Sequence, residues 1–111
     1  MENSDFNTFE LLIVKDQVTE ALKSCYDPEI PVNIFELGLI YSVDVDKAGA
    51  VNIKMTLTSP ACPAAQSLPP EVKEKVEAVK GVTSAQVEVV WEPRWDPSMM
   101  SEEAKLALNM Y

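Results

Sequence analysis

The sequence has no histidine and only two cysteines, Cys25 and Cys62, among its 111 residues. Without histidine, the chain lacks the most frequent general base and the most frequent metal ligand of proteins. Any chemistry of thiols or soft metals must therefore use one or two sulfur atoms. In a reducing compartment, two widely spaced cysteines are more often free thiols than a disulfide, so the sequence predicts an available thiol at Cys62.

Basic residues and long apolar runs are also scarce. The chain has 9 basic and 18 acidic residues, a formal charge of −9, and no cluster of Lys or Arg. This balance argues against nucleic acid as a partner, because phosphate binding needs clustered positive charge. No stretch approaches the roughly 20 apolar residues of a membrane-spanning helix. The N-terminal residues MENSDF lack the basic start of a signal peptide, so we expect a cytoplasmic protein with no membrane contact.

Apolar residues make up 47% of the chain, which is ordinary for a single globular domain of this length. We assign residues 14–111 to that domain and residues 1–13 to an N-terminal extension. A helical stripe starts at Val14 and predicts a helix that ends before Pro28; its members are Val14, Val18, Ala21, Leu22 and Cys25. Cys25 therefore belongs to the predicted core. The following DPEIPVNIFELG reads as an ordered loop, since its prolines disfavour a helix.

Two alternating segments, from Leu39 to Asp46 and from Val51 to Thr58, predict a β-hairpin around the turn DKAGA. After Cys62 the spacing is helical again, but Pro69 and Pro70 interrupt it, so we expect the main helix to start near Pro70 and to end at Gly81. Residues 85–91 predict a third strand. The remaining arm, RWDPSMMSEEAKLALNM, should form a short helix capped by the Ser101 hydroxyl.

The order of elements is α-β-β-α-β with a C-terminal arm. Three strands that each have one apolar face need a covering layer, which two helices can supply. We predict an α+β fold, a two-layer sandwich with both helices on one face of a three-stranded antiparallel sheet. The crossover through the second helix should carry the third strand past the hairpin to the first strand, giving the order 2-1-3.

Cys62 is the strongest candidate for chemistry. It follows a strand and precedes a helix, where unpaired amides and the helix dipole favour a thiolate. The alternative is a small buried apolar residue, since free cysteines are often buried. Thr58 and Ser59 could hydrogen-bond the thiolate or only shape the turn. Asp27 and Glu29 could approach the sulfur or only organise their own loop.

Three segments together resemble a known family: YDPEIPVNIFELGLIY, MTLTSPACPAAQ and VEAVKGVTSAQVEVVWEPRWDPSMMSEEAKLAL. They are similar, in order and spacing, to the SufT/PaaD-like family of iron–sulfur assembly proteins, which are bacterial relatives of the eukaryotic cytosolic iron–sulfur targeting factors. The resemblance implies a small α+β domain that helps to mature iron–sulfur proteins. It also implies that Cys62 is the key residue, surrounded by Asp27, Glu29, Thr58 and Ser59.

An iron–sulfur cluster usually takes four thiolates, and this chain offers one good candidate. Two copies of Cys62 across a homodimer, completed by small thiols or by the cysteines of a client apo-protein, could hold a labile cluster. Two other functions stay open. The chain could be an adaptor that binds no cluster and contacts the assembly machinery through its C-terminal arm. It could also be a thiol enzyme, although it has no histidine base and no nearby resolving cysteine.

Overall fold

The structure is a computed structural model that describes residues 7–26, 30, 32–58 and 64–108. Its elements follow the predicted order of helix, strand, strand, helix, strand and arm. They are α1 (Thr8–Leu22), β1 (Ile40–Val45), β2 (Ala50–Met55), α2 (Ala64–Glu77), β3 (Ser84–Val89), a 3-10 helix (Pro97–Met99) and α3 (Glu102–Ala107). No helix among these residues is long and apolar enough to span a bilayer.

Helix α1 begins six residues before the start of the apolar stripe, inside the segment assigned to the N-terminal extension. A capping box explains this start. The Asn7 side chain accepts a hydrogen bond from the backbone amide of Glu10, and the Glu10 side chain accepts one from the amide of Asn7. The predicted stripe is correct, because Val14, Val18 and Leu22 are buried.

The sheet is mixed and its order is β1-β2-β3, which corrects the predicted antiparallel sheet of order 2-1-3. β1 and β2 form the expected antiparallel hairpin, whereas β3 pairs parallel with β2 from Ala50↔Ser84 to Met55↔Val89. A crossover helix returns the chain to the end at which β2 begins, so β3 runs in the same direction as β2. The prediction placed β3 beside β1. In the structure β3 lies beside β2, the strand to which α2 connects it.

Both long helices cover one face of the sheet, as predicted. A single core contains the buried stripe of α1, Leu68, Val72 and Val76 of α2, and alternate residues of β2 and β3: Val51, Ile53, Met55 and Ala85. On the other face Asn52 and Lys54 are exposed. This alternation of buried and exposed residues is typical of a sheet with one solvated face.

Helix α2 starts at Ala64 and includes both prolines, which corrects the predicted start near Pro70. Pro69 and Pro70 each lack the amide that would bond one turn back. The buried stripe of Leu68, Val72 and Val76 explains why the helix continues across this defect, since packing contributes more to helix stability than local propensity does. Gly81 has the expected positive φ of 98°, but α2 ends at Glu77, four residues earlier, which corrects the predicted end of the helix at Gly81.

The C-terminal arm packs back onto the domain. The Ser101 hydroxyl accepts a hydrogen bond from the Ala104 amide and caps α3, as predicted. The Ser101 amide in turn donates to the Glu36 carbonyl at 2.8 Å. Met100 and Ala104 are buried in the core, so the arm completes the fold and does not extend away from it.

Candidate functional site

Four of the five predicted site residues, Asp27, Glu29, Ser59 and Cys62, lie outside the described residues. The structure describes the fifth, Thr58, which is half-buried shortly after β2 ends at Met55. The connection that contains Cys62 therefore leaves from Thr58 and reaches α2 at Ala64. A strand before this connection and a helix after it agree with the predicted context of the thiol.

A cleft lies at the end of β2 where this connection departs. Its volume is about 290 Å³, and among the described residues it is lined by Leu57, Thr58, Trp91, Glu92, Arg94 and Trp95. The cleft forms because parallel strands end at the same edge of a sheet, so the residues that follow β3 meet those that follow β2. Trp91 is 41% exposed, which leaves an aromatic surface at the rim of the cleft.

Sequence reasoning did not identify Trp91, Glu92 and Arg94 as site residues. The sequence patterns assign Trp91 to the end of the third strand and Arg94 to the C-terminal arm, and the predicted order 2-1-3 places the third strand away from the second. The composition WEPRW was a usable signal, because exposed tryptophan and arginine are typical of binding surfaces.

Two hydrogen bonds hold the arm beside the cleft. The indole Nε1 of Trp95 donates to the backbone oxygen of Leu37 at 2.8 Å, and the Tyr41 hydroxyl donates to the backbone oxygen of Pro93 at 2.8 Å. Tyr41 lies where the register of β1 shifts against β2, between Ile40 and Ser42. Such a bulge redirects a side chain from the regular alternation of the strand. The indole N–H of Trp95 therefore fastens the arm to the domain.

Contacts between residues 25–26 and residues 33–34 join the two described ends of the segment that contains Asp27 and Glu29. Tyr26 and Asn33 form an isolated antiparallel bridge, and the Ile34 amide donates to the Cys25 carbonyl at 2.9 Å. The Asn33 side chain accepts from the Glu36 amide at 2.9 Å. These contacts fix where the intervening loop starts and ends.

Cys25 is fully buried and belongs to the core, as predicted. Loss of hydration raises the pKa of its thiol above the ordinary value, the nearby Glu71 carboxylate raises it further, and Lys75 opposes the shift. A protonated, inaccessible sulfur is a poor nucleophile and a poor metal ligand. The described residues contain no group of three or more Cys, Asp or Glu side chains arranged to hold a metal ion.

Comparison with known proteins gives a consistent result. Residues 15–89, more than half of the chain, match the family model described as iron–sulfur cluster assembly protein. An Fe-S protein maturation auxiliary factor of Porphyromonas gingivalis is 50% identical over 100 residues, which cover 90% of this chain and 95% of that protein. The factor YitW of Bacillus subtilis, of the same description, is 41% identical over 87% of this chain and 95% of its own.

The fold and a further relative extend this similarity. A crystal structure of a domain of unknown function from Bacillus anthracis superposes with a TM-score of 0.86 at 35% identity, covering 95% of this chain and all of that one. An iron-sulfur cluster carrier protein of Mycobacterium leprae is 28% identical over 98% of this chain, but this match is only 26% of the carrier. A segment similar to this chain is therefore one part of a much longer protein.

Proposed function

This chain belongs to the iron–sulfur cluster assembly protein family, and on that premise we propose that it is an accessory factor in the assembly of iron–sulfur clusters or in their delivery to client proteins. The observation that carries the proposal is the similarity to the Porphyromonas gingivalis maturation factor along almost the whole length of both proteins. The carrier of Mycobacterium leprae supports the delivery step, because a similar domain there is part of a cluster carrier.

The working atom in this proposal is the sulfur of Cys62. Cys25 is buried and its pKa is raised, which leaves Cys62 as the one thiol of the chain suited to ligation. The cluster is cargo, and its remaining thiolates come from a second copy of Cys62, from small thiols or from the client. Such incomplete ligation suits transfer, since a cluster held by few protein thiolates is easily passed on.

The residues around Cys62 have a supporting role in the proposal. Thr58 lines the cleft at the end of β2, and its hydroxyl can donate a hydrogen bond to a thiolate or to the connection that follows. Asp27, Glu29 and Ser59 complete the proposed site on the basis of the family resemblance. The partners are the iron–sulfur assembly machinery and client apo-proteins, and the reducing cytoplasm is the compartment in which the thiol stays free.

The test is maturation of a client iron–sulfur enzyme in cells that lack the native protein. Wild type and Cys25→Val should restore client activity, Cys62→Ser should not, and Thr58→Val should restore it partly. Melting temperatures of the purified variants show whether each one still folds. If Cys62→Ser restores client activity as fully as wild type does, the sulfur is not the working atom.

An adaptor that binds no cluster is the second candidate, favoured by the exposed rim of Trp91 and Arg94 beside the cleft. Anaerobic purification with iron and sulfide quantified separates the two functions. A cluster near one per dimer, lost in Cys62→Ser, supports the carrier. No cluster under any reconstitution, together with loss of client activity in Arg94→Ala, supports the adaptor. A thiol enzyme is the least favoured function, because the chain has no histidine to act as base.

A further inference from the structure

The side of α1 that faces away from the core carries three large apolar side chains. Phe9, Leu12 and Ile13 are 70%, 62% and 43% exposed. Their spacing of i, i+3 and i+4 places them next to one another on the helix surface. They lie opposite the buried stripe of Val14 and Val18, and we call these three residues the α1 outer patch.

Packing among the residues that the structure describes does not account for this patch. A surface helix normally has one apolar stripe, and the first half of α1 is apolar on two opposite sides. The capping box at Asn7 and Glu10 fixes the start of the helix, so the three side chains are presented on an ordered element. Single exposed apolar residues are common, but adjacent ones on one helix face are typical of an interaction site.

Acidic residues continue the same helix face beyond the patch. Asp16 follows Leu12 by four residues and Ile13 by three, and Glu20 follows Asp16 by four; both carboxylates are exposed. Glu20 contacts Lys23 at 3.8 Å, a weak exposed pair that leaves the carboxylate accessible. The outer face of α1 is therefore apolar in its first half and anionic in its second half.

We propose that the α1 outer patch, with Asp16 and Glu20, docks a helical segment of a partner protein that carries apolar residues beside lysine or arginine. Charge complementarity selects this occupant. A second copy docked through the same helix face would bring Asp16 and Glu20 of the two copies together, and the anionic headgroups of a membrane surface would repel the same carboxylates.

The size of the patch indicates a brief contact. Three side chains offer much less than the ~800 Å² per partner of a standard stable interface. A weak apolar contact guided by charge associates quickly and releases readily. The proposal goes beyond the proposed function, because it depends on neither Cys62 nor the cleft at the end of β2.

The test uses the full chain and two designed helical peptides about five turns long that share one leucine stripe. One peptide is flanked by lysine and the other by glutamate, and binding is followed by fluorescence anisotropy of the labelled peptide. We expect the lysine peptide to bind and the glutamate peptide to bind at least about tenfold more weakly. Leu12→Gln should weaken the lysine peptide by at least about tenfold, since one leucine contact contributes this much.

The controls separate this surface from general stickiness. Leu106→Gln removes an apolar side chain that is 64% exposed on α3 and should leave binding unchanged. Asp16→Asn should weaken binding less than Leu12→Gln does and should reduce its dependence on salt. Unchanged melting temperatures show that the variants fold. Client maturation by the Leu12→Gln variant, which keeps Cys62, is measured separately, so that failure of the docking proposal can be distinguished from failure of the proposed function.

Three results would overturn the proposal. The first is that the lysine peptide fails to bind or binds Leu12→Gln as well as wild type. The second is a dimer in sedimentation that Leu12→Gln abolishes, which would make a second copy the occupant. The third is binding to phosphatidylcholine vesicles that Leu12→Gln abolishes, which would assign the patch to a lipid surface.

Discussion

The indole Nε1 of Trp95 donates a 2.8 Å hydrogen bond to the backbone oxygen of Leu37, 58 residues earlier in the chain. This bond fastens the C-terminal arm to the loop before β1, and it keeps Trp95 at the cleft that also contains Thr58. The same loop receives the arm at a second point, where the Ser101 amide donates to the Glu36 carbonyl. The arm is therefore part of the wall of the candidate site.

Replacing Trp95 by phenylalanine should lower the free energy of unfolding by about 1–2 kcal/mol. The aromatic ring is largely kept, but the carbonyl of the buried Leu37 loses its indole donor. Urea denaturation measures the change. Trp91→Phe is the matched control, because Trp91 is 41% exposed and its replacement should change stability by less than about 0.5 kcal/mol. Equal effects of the two substitutions would contradict a structural role for the Trp95 bond.

Gly38→Ala should destabilise the protein by at least about 2 kcal/mol. Gly38 has a φ of 81°, and a Cβ atom there would clash with the backbone oxygen of Met99. An L-residue in this conformation costs roughly 1–2 kcal/mol, and the clash would also push the arm away from β1. Gly81→Ala, at a φ of 98°, measures for comparison the cost in unfolding free energy of the backbone conformation alone. A loss at Gly38 no larger than that at Gly81 would show that the arm does not approach so closely.

The sequence predicted the parts of the fold that depend on local periodicity. Three such features are confirmed, and each is specified by residues that are close together in the chain: the stripe of Val14 and Val18, the hairpin and the Ser101 cap. The common covered face of the sheet follows from the same alternation. These features could be predicted because the residues that determine them are neighbours in the chain.

The errors concern long-range pairing and competition between effects. The position of β3 next to β2 depends on which free edge α2 reaches, and the alternating pattern of a strand does not encode that choice. The start of α2 at Ala64 depends on core packing around Leu68, which outweighs the prolines. For the same reason Trp91 and Arg94 were not predicted to lie beside Thr58, since they meet it only when β2 and β3 are neighbours.

Stability should fall with rising pH because of Cys25. Burial raises the pKa of this thiol in the folded state, so above about pH 8.5 the unfolded chain loses a proton that the folded chain keeps. The contribution of Cys25 to the free energy of unfolding is fully present below the pKa that its thiol has in the unfolded chain. It is lost as the pH rises through the pKa of the folded state, by up to about 1.4 kcal/mol per pH unit. Cys25→Val removes this term, so the wild-type minus variant difference in unfolding free energy should decrease between about pH 8 and pH 10. A difference that is constant with pH would show that Cys25 has no raised pKa.

The two cysteines should differ strongly in their reactivity toward an alkylating agent. Cys25 is fully buried, with its Sγ 3.8 Å from the Ala21 carbonyl oxygen, so it reacts only when the core opens. Cys62 follows β2 in a segment that the sequence predicts to present a free, partly ionised thiol. In the native protein we expect Cys62 to react at least about a hundredfold faster than Cys25, and mass spectrometry of the two peptides measures both rates.

Two variants and a measurement in denaturant serve as controls for this comparison of the two alkylation rates. Cys25→Val should keep the fast phase of alkylation, and Cys62→Ser should abolish it while leaving the melting temperature nearly unchanged, since an ordinary surface change alters stability by about 0.5 kcal/mol. In strong denaturant the two thiols of the wild type should react at similar rates, because burial no longer separates them. Equal rates in the native protein would mean that Cys62 is as protected as a core residue. Cys62 would then be a packing residue, and the adaptor built on the rim of Trp91 and Arg94 would replace the thiol-based function.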